Sequence, residues 1–153
     1  IKILSNNNNI KANTLIVGQL SKDWNMQQYN MTNIKIIKYF IKNKRPKDIA
    51  VFKPHPKELS LLDLMKIYFF CKKKKIFFSS KYFYKNINKI YTHTSSHVYN
   101  FISSEKKVIF ISDSLQKEIY NKGLNKKIIK NYFAKINYYS NKKFSLKRII
   151  NAF

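Results

Sequence analysis

A single histidine between two prolines is the residue of this chain best placed for chemistry. Residues 49–58 read IAVFKPHPKE, so an apolar run passes directly into the turn Lys53, Pro54, His55, Pro56. Each proline fixes its own φ and biases the preceding residue to extended geometry, which holds the imidazole where the apolar run ends. An imidazole N–H there can donate to a phosphate, and Lys53 adds a positive charge. A turn histidine without a ligand is the alternative interpretation.

Two adjacent serines are the second candidate. Ser95 and Ser96 follow the run KIYTHT and precede HVYNFI, a run with helical character over residues 97–102. Hydroxyls at a helix start lie beside unpaired backbone N–H groups and can bind an anion, although they can equally well only cap the helix. If His55 and the serines each follow a parallel strand, both lie at one edge of the sheet, where a phosphate would bind.

Other common kinds of site are not predicted. His93 and His97 are four residues apart but straddle a strand-to-helix boundary without a carboxylate cluster, so we expect no metal site. The 7 acidic residues are scattered and form no pair for general acid and base catalysis. Gly18 and Gly123 stand alone, which excludes a glycine-rich phosphate loop. The single cysteine, Cys71, excludes an internal disulfide and fits a reducing compartment.

The elements that must position these residues alternate between strands and helices. Strands are predicted at residues 14–19, 49–52, 76–79, 89–94 and 108–111, and helices at 31–44, 59–70 and 115–121. Residues 20–30 are predicted as a polar loop. The second helix carries four apolar residues on one face: Leu61, Leu62, Met65 and Phe69. The alternation predicts βαβ units and a parallel, Rossmann-like α/β sheet flanked by helices.

The charge of the chain is strongly positive. Its 153 residues include 31 Lys and Arg against 7 Asp and Glu, for a formal net charge of +24. Such a charge indicates a polyanionic partner, either nucleic acid or an anionic membrane. However, Arg45 and Arg148 are the only arginines, and bidentate phosphate recognition favours arginine. A coding sequence rich in A and T, which favours Lys, Asn, Ile, Phe and Tyr, is therefore an alternative explanation for the positive charge.

Four short stretches together resemble a known family. They are GQLS at 18–21, KPHPKE at 53–58, THTSSHVYNF at 92–101 and KKVIFIS at 106–112. In this order they resemble the carboxyl-terminal domain of bacterial two-domain (GT-B) sialyltransferases, whose HP and SS motifs bind the CMP part of CMP-sialic acid. The likeness is to the lipooligosaccharide and polysialic acid transferases, with capsule Kdo transferases as relatives that share a similar KPHP stretch.

The resemblance implies a role for each matching residue. His55 would contact the CMP phosphate as the catalytic residue, and Ser95 and Ser96 would bond the same phosphate. Glu58 would match the acidic residue that often follows the HP motif. The remaining donor-binding positions are Gly18, Gln19, Lys53, Pro54 and Pro56.

The resemblance also implies a domain organisation. Residues 1–13 would be a linker or lead-in, residues 14–122 the donor-binding half of a GT-B fold, and residues 123–153 a basic helical tail. The family's acidic motif, which supplies the base, belongs to an amino-terminal domain and has no counterpart here, so the activity of the isolated chain is left open. The chain would then be a fragment lacking that domain.

The implied partners are a CMP-activated sugar and a glycan acceptor of capsule or lipooligosaccharide biosynthesis in a bacterium, with no metal or other cofactor. No apolar run approaches the ~20 residues that span a bilayer, so we expect a cytoplasmic protein, with the basic tail on the anionic inner membrane as a further hypothesis. A basic RNA-binding or ribosomal protein is the main alternative, because positive charge and aromatic side chains suit RNA. A nonenzymatic remnant of a transferase is the third.

Overall fold

The computed structural model describes residues 11–58, 60–80, 86–95, 106–114, 117 and 120–121. Within them the chain forms a five-stranded sheet in the order β3-β2-β1-β4-β5, and every neighbouring pair is parallel. The strands are β1 (Thr14–Val17), β2 (Ala50–Lys53), β3 (Phe77–Phe78), β4 (Lys89–Thr92) and β5 (Lys107–Phe110). Because the strand order reverses between β1 and β4, this is a Rossmann-like sheet, and the predicted fold class is confirmed.

The three central strands are buried along their whole length, as expected for a parallel sheet covered on both faces. Alternate residues point to opposite faces, so Ile16 and Phe52 join the core on the side of the helices. Leu15 and Val51 join a second core on the other side, against which Tyr120 packs. This burial fits the apolar residues in the middle of each of these strands.

Three helices with both ends in the described residues accompany the sheet: α1 (Trp24–Gln28), α2 (Asn33–Asn43) and α3 (Leu61–Lys73). Each begins after a capping residue whose side chain accepts a backbone N–H, namely Asp23, Thr32 and Ser60. The prediction of a polar loop over residues 20–30 is wrong at α1. This helix has five residues and buries only Met26, so it carries no apolar period that could be recognised.

Helix α2 packs on the sheet mainly through Ile36, Ile37 and Phe40, which are fully buried. The ring of Phe40 meets that of Tyr91 edge-on, with centroids 5.2 Å apart. Ile34 is only partly buried at the rim of this core. The helix is thereby fixed over β1 and β4.

Helix α3 does not pack on the sheet through its most apolar stripe but through the opposite side of the helix. Ile67 and Cys71 are buried in the core, and burial raises the pKa of the Cys71 thiol to about 12. The four residues of the predicted apolar face are exposed: Leu61, Leu62, Met65 and Phe69. An apolar stripe ordinarily faces the core. Here Ile67 and Cys71, one turn apart, already fill the space beside Phe52, so the stripe is directed outward.

The two residues before β1 are part of the packed fold. Ala12 is buried, and the backbone N–H of Asn13 donates to the carbonyl of Ile49 at 3.0 Å. The Asn13 carbonyl accepts from Asn88 and Lys89, so this residue joins the amino ends of β1, β2 and β4.

Several predictions for the carboxyl-terminal part of the chain lie outside the described residues. These are the helical run at 97–102, the stop at Gly123 and the basic tail. Of the helix predicted at 115–121, Lys117, Tyr120 and Asn121 are helical, and the Ser114 hydroxyl accepts the N–H of Lys117 at 3.2 Å. None of the helices in the described segments has the length and apolar character needed to span a bilayer.

Candidate functional site at the carboxyl edge of the sheet

The two predicted anion-binding positions follow parallel strands of the same sheet. His55 lies two residues after β2 and Ser95 three residues after β4, and both strands pair in parallel with β1. Neighbouring strands lie about 4.8 Å apart, so the ends of β2 and β4 are separated by about 10 Å. The point where the strand order reverses falls between β1 and β4, and ligands of open α/β sheets bind at such a crevice.

His55 presents one ring nitrogen from the loop after β2. Its Nδ1 accepts the backbone N–H of Lys57 at 3.1 Å, and its carbonyl accepts the N–H of Glu58 at 3.0 Å. Because Nδ1 is an acceptor, the neutral ring carries its proton on Nε2. The residue is half-buried, and Nε2 has no hydrogen-bond partner in the described part of the chain. The loop therefore offers an oriented N–H donor.

Gly18 allows the end of β1 to lie directly against this loop. Its N–H donates to the Lys53 carbonyl at 2.8 Å. A Cβ atom at position 18 would lie 2.6 Å from the ring of Phe52, 2.8 Å from the Lys53 carbonyl oxygen and 3.2 Å from Pro54 Cα. Only glycine fits so close to neighbouring backbone. Lys53 itself is buried, so its side chain lies within the fold and not on the surface of the loop.

Glu58 joins two of the stretches that carry the family resemblance. Its carboxylate accepts the backbone N–H of Ser21 at 2.8 Å and that of Ser60 at 3.3 Å. Burial by itself would raise the pKa of Glu58, but the hydrogen bonds from Ser21 and Ser60 and the nearby His55 outweigh it and lower this pKa. The ionised carboxylate therefore clamps the loop after β1 to the loop after β2.

Gln19 lies at the crevice between β1 and β4, but its polar groups are already bonded. Its side-chain amide donates to Thr94 Oγ1 at 2.8 Å and accepts the Thr94 N–H at 3.1 Å. Its backbone N–H and carbonyl both bond the side chain of Asn33, at 2.9 and 2.8 Å. All three residues are buried. Gln19 therefore fixes the floor of the crevice, and its predicted contact with a donor stays a prediction.

His93 is buried beside the same crevice with both ring nitrogens bonded. Nε2 lies 3.4 Å from the Asn25 carbonyl and Nδ1 lies 2.5 Å from Ser112 Oγ. A carbonyl can only accept, so Nε2 carries the proton and the Ser112 hydroxyl donates to Nδ1. Burial lowers the pKa of His93, and the bond to Asn25 and the charge of Asp23 offset this only in part. The ring is a neutral structural element.

The structure describes Ser95 but not Ser96. The backbone N–H of Ser95 donates to Thr92 Oγ1 at 3.4 Å, and the residue is half-buried. This bond places Ser95 in a tight turn after β4, at the edge where the sequence predicts it. Ser96 lies outside the described residues, so the role of the pair on a phosphate stays a prediction.

Most carboxylates in the described part of the chain are held by neighbouring groups. Besides Glu58, Asp23 caps α1, Asp48 pairs with Lys89 at 2.6 Å, and Asp113 pairs with Lys117 at 2.6 Å. Burial alone would raise the pKa of Asp48, but its bonds to Lys89 and to the backbone of Arg45 lower it. Over the segments that the structure describes, no group of three or more His, Cys, Asp or Glu could hold a metal ion.

A cavity of about 470 Å³ lies away from this edge, beside the first residues of β4 and β5. Its lining includes Arg45, Lys89 and Lys107, with the rings of Tyr39 and Tyr91. Asp48 neutralises part of this charge, since it lies 2.6 Å from Lys89 Nζ and 3.7 Å from Arg45 Nε. The cavity is thus separate from the His55 loop.

The sequence could not have indicated Asn33 and Thr94, because single Asn and Thr residues carry no local pattern. Tyr29 also could not have been indicated: its ring meets that of His93 edge-on, with centroids 5.3 Å apart, from the end of an unpredicted helix.

No protein-family model matches this chain, and no curated protein is significantly similar to it.

Proposed function

We propose that this chain is the donor-binding half of a GT-B glycosyltransferase that uses a CMP-activated sialic acid or a related ulosonic acid. The observation that supports this most directly is the geometry of His55. The half-buried imidazole after β2 accepts the Lys57 N–H at Nδ1, and its Nε2 has no hydrogen-bond partner in the described part of the chain. A phosphate oxygen is a suitable acceptor for that donor, at the edge where α/β sheets bind nucleotides.

In the proposed reaction an acceptor hydroxyl attacks the anomeric carbon of the sugar, and the bond from that carbon to the phosphate oxygen breaks. Negative charge develops on the departing CMP phosphate. The N–H of His55 and the hydroxyl of Ser95 would stabilise it, as donors placed around a developing oxyanion do. The hydroxyl proton goes to a base of the amino-terminal domain, because Glu58 is occupied by Ser21 and Ser60. The chain alone is therefore expected to bind donor without rapid turnover.

The acceptor in this proposal is a bacterial capsule or lipooligosaccharide glycan, and the reaction takes place in the cytoplasm at the inner membrane. The net charge of +24 favours contact with an anionic membrane surface. The same charge would attract RNA, so the test must separate a diffuse attraction from a built phosphate site.

Calorimetric titration with CMP separates these causes. Hydrogen bonds at a preorganised site are screened less by salt than a diffuse field, which is screened over ~8 Å at physiological ionic strength. We expect His55→Ala to weaken CMP binding by about ten- to a hundredfold. The matched control is Lys38→Ala, an exposed position on α2, which should change little. His55→Gln, whose amide N–H can approach the position of Nε2, should retain part of the affinity.

UMP and AMP serve as controls for base preference at low and physiological salt. Weaker binding of both supports a CMP site. The proposal is wrong if His55→Ala binds CMP as the wild type does. It is equally wrong if all three nucleotides bind alike and are released together by salt, because a general polyanion-binding protein, such as an RNA-binding protein, would then be the better account.

A further inference from the structure

Helix α3 exposes an unusually large apolar surface. The α3 stripe, defined as Leu61, Leu62, Met65 and Phe69, has exposed fractions of 50, 71, 46 and 58%. At 3.6 residues per turn these four side chains fall within an arc of about 100°. Ile67 and Cys71 face the core on the opposite side. Single exposed apolar residues are ordinary, but a contiguous patch marks an interaction surface.

Lysines lie along one border of the stripe and at its carboxyl end. The α3 lysines are Lys66, Lys72, Lys73, Lys74 and Lys75, and all five are exposed. On the helical wheel Lys66 and Lys73 lie just beyond one border of the stripe, and Lys72 falls within its arc at the carboxyl end of the helix. None of the five is paired with a carboxylate in the described part of the chain. The face thus combines an apolar strip with uncompensated positive charge along one border and at its carboxyl end.

We propose that this face of α3 lies on an anionic lipid bilayer, with the stripe in the headgroup region and the lysines on the lipid phosphates. Apolar side chains bordered by lysine are the composition of interfacial helices. Charge complementarity selects this occupant. A second copy of the chain would bring another formal charge of +24 to the same face, and RNA offers phosphates but no partner for the stripe.

The contact would orient the candidate donor site toward the membrane. Leu61 and Leu62 begin α3 only six and seven residues after His55, so the apolar end of the helix lies near the His55 loop. The lysines Lys72 to Lys75 lie at the far end of the helix, about 20 Å away. The inference does not depend on the proposed function, since it uses the surface of α3 and not the His55 site.

Flotation with vesicles tests the proposal with the full chain. Vesicles of phosphatidylcholine with and without phosphatidylglycerol are compared for the wild type and for Leu62→Ser combined with Phe69→Ser. We expect the double variant to bind the anionic vesicles at least about tenfold more weakly. The control combines Trp24→Ser with Ile49→Ser, two exposed apolar positions away from α3, and should bind as the wild type does.

A second pair of variants tests the charged margin. Lys73→Gln with Lys74→Gln should weaken binding to the anionic vesicles by about tenfold, whereas Lys38→Gln with Lys42→Gln on α2 should weaken it by about twofold at most. All variants should keep the thermal unfolding midpoint and the CMP affinity of the wild type, which separates this test from that of the donor site.

The inference is overturned if the serine double variant floats as the wild type does, or if both lysine pairs lose binding equally. It is also overturned if sedimentation shows a wild-type dimer that the serine variant loses while vesicles recover neither protein, because the stripe would then pack against a second copy.

Discussion

His55 follows β2 and His93 follows β4 at the same edge of the sheet, yet the surroundings of the two rings differ. His93 has no exposed surface and bonds through both ring nitrogens, to Asn25 and Ser112. His55 is half-buried and bonds through Nδ1 to its own loop. One imidazole is part of the architecture and the other is available to a ligand, although each comes shortly after a buried strand.

The comparison extends to the two halves of the edge. The half between β1 and β4 is closed by the bonds among Gln19, Asn33 and Thr94, all of them buried. The half after β2 is a loop made rigid by prolines and held by Glu58. A buried polar network is costly to disturb, because each lost partner leaves a desolvated group without a bond. We therefore expect substitutions in the network of Gln19, Asn33 and Thr94 to change stability, and substitution of His55 to change binding.

The largest effect on stability is expected for Gln19→Ala. It removes both bonds to Thr94 and leaves the buried N–H and hydroxyl of that residue without partners. The free energy of unfolding should fall by about 2 to 4 kcal/mol in urea denaturation. Gln28→Ala, at an exposed position of α1, is the control and should stay within about 0.5 kcal/mol. A loss below about 1 kcal/mol for Gln19→Ala would contradict the closed network.

Gly18→Ala tests the boundary between the two halves. The new Cβ would meet the Lys53 carbonyl oxygen at 2.8 Å and the Phe52 ring at 2.6 Å. The Lys53 carbonyl can move only together with the loop after β2. We therefore expect the free energy of unfolding to fall by about 1 to 3 kcal/mol. CMP binding should weaken as well, because the displaced loop carries His55. Ser80→Ala, at an exposed position after β3, is the matched control. Unchanged stability would show that β1 and the loop are not packed as described.

The pH dependence of stability should report on the burial of His93. Burial lowers the pKa of His93 from its ordinary value of 6.5, so the unfolded chain binds a proton that the folded chain resists. Stability from this group is complete above pH 6.5 and falls as the pH decreases from there toward the lowered pKa. The slope is at most about 1.4 kcal/mol per pH unit.

Urea denaturation between neutral pH and pH 5 measures this slope. His93→Gln should flatten it, because the titrating group is gone. An equally steep slope in His93→Gln would assign the pH dependence to another group and would remove the contrast between the two rings.

The smallest effect on stability is expected for His55→Ala. The change removes the bond from the Lys57 N–H to Nδ1 in a partly solvated loop, where water can replace it. The free energy of unfolding, obtained from the thermal midpoint, should fall by no more than about 1 kcal/mol. CMP binding should weaken at the same time. A large destabilisation would mean that His55 supports the fold as His93 does, and the comparison would fail.

The sequence by itself determined the alternation of buried strands and helices, and hence the parallel α/β sheet. It also determined that the loop after β2 would be stiff, since the effects of Pro54 and Pro56 on backbone angles are local. Because parallel strands share their carboxyl edge, the positions of His55 and Ser95 at that edge followed from the fold class alone.

Only the tertiary structure decided which polar groups remain available. The bond between Gln19 and Thr94 joins residues 75 positions apart, and His93 meets Asn25 across 68 positions. No local pattern encodes such partners. The same limit applies to α3: spacing shows that Leu62 and Phe69 share a face, but not which face meets the sheet. Ile67 and Cys71 occupy that contact, and the stripe is therefore directed outward. The packing of other elements, and not the period of the helix, determines which face is buried.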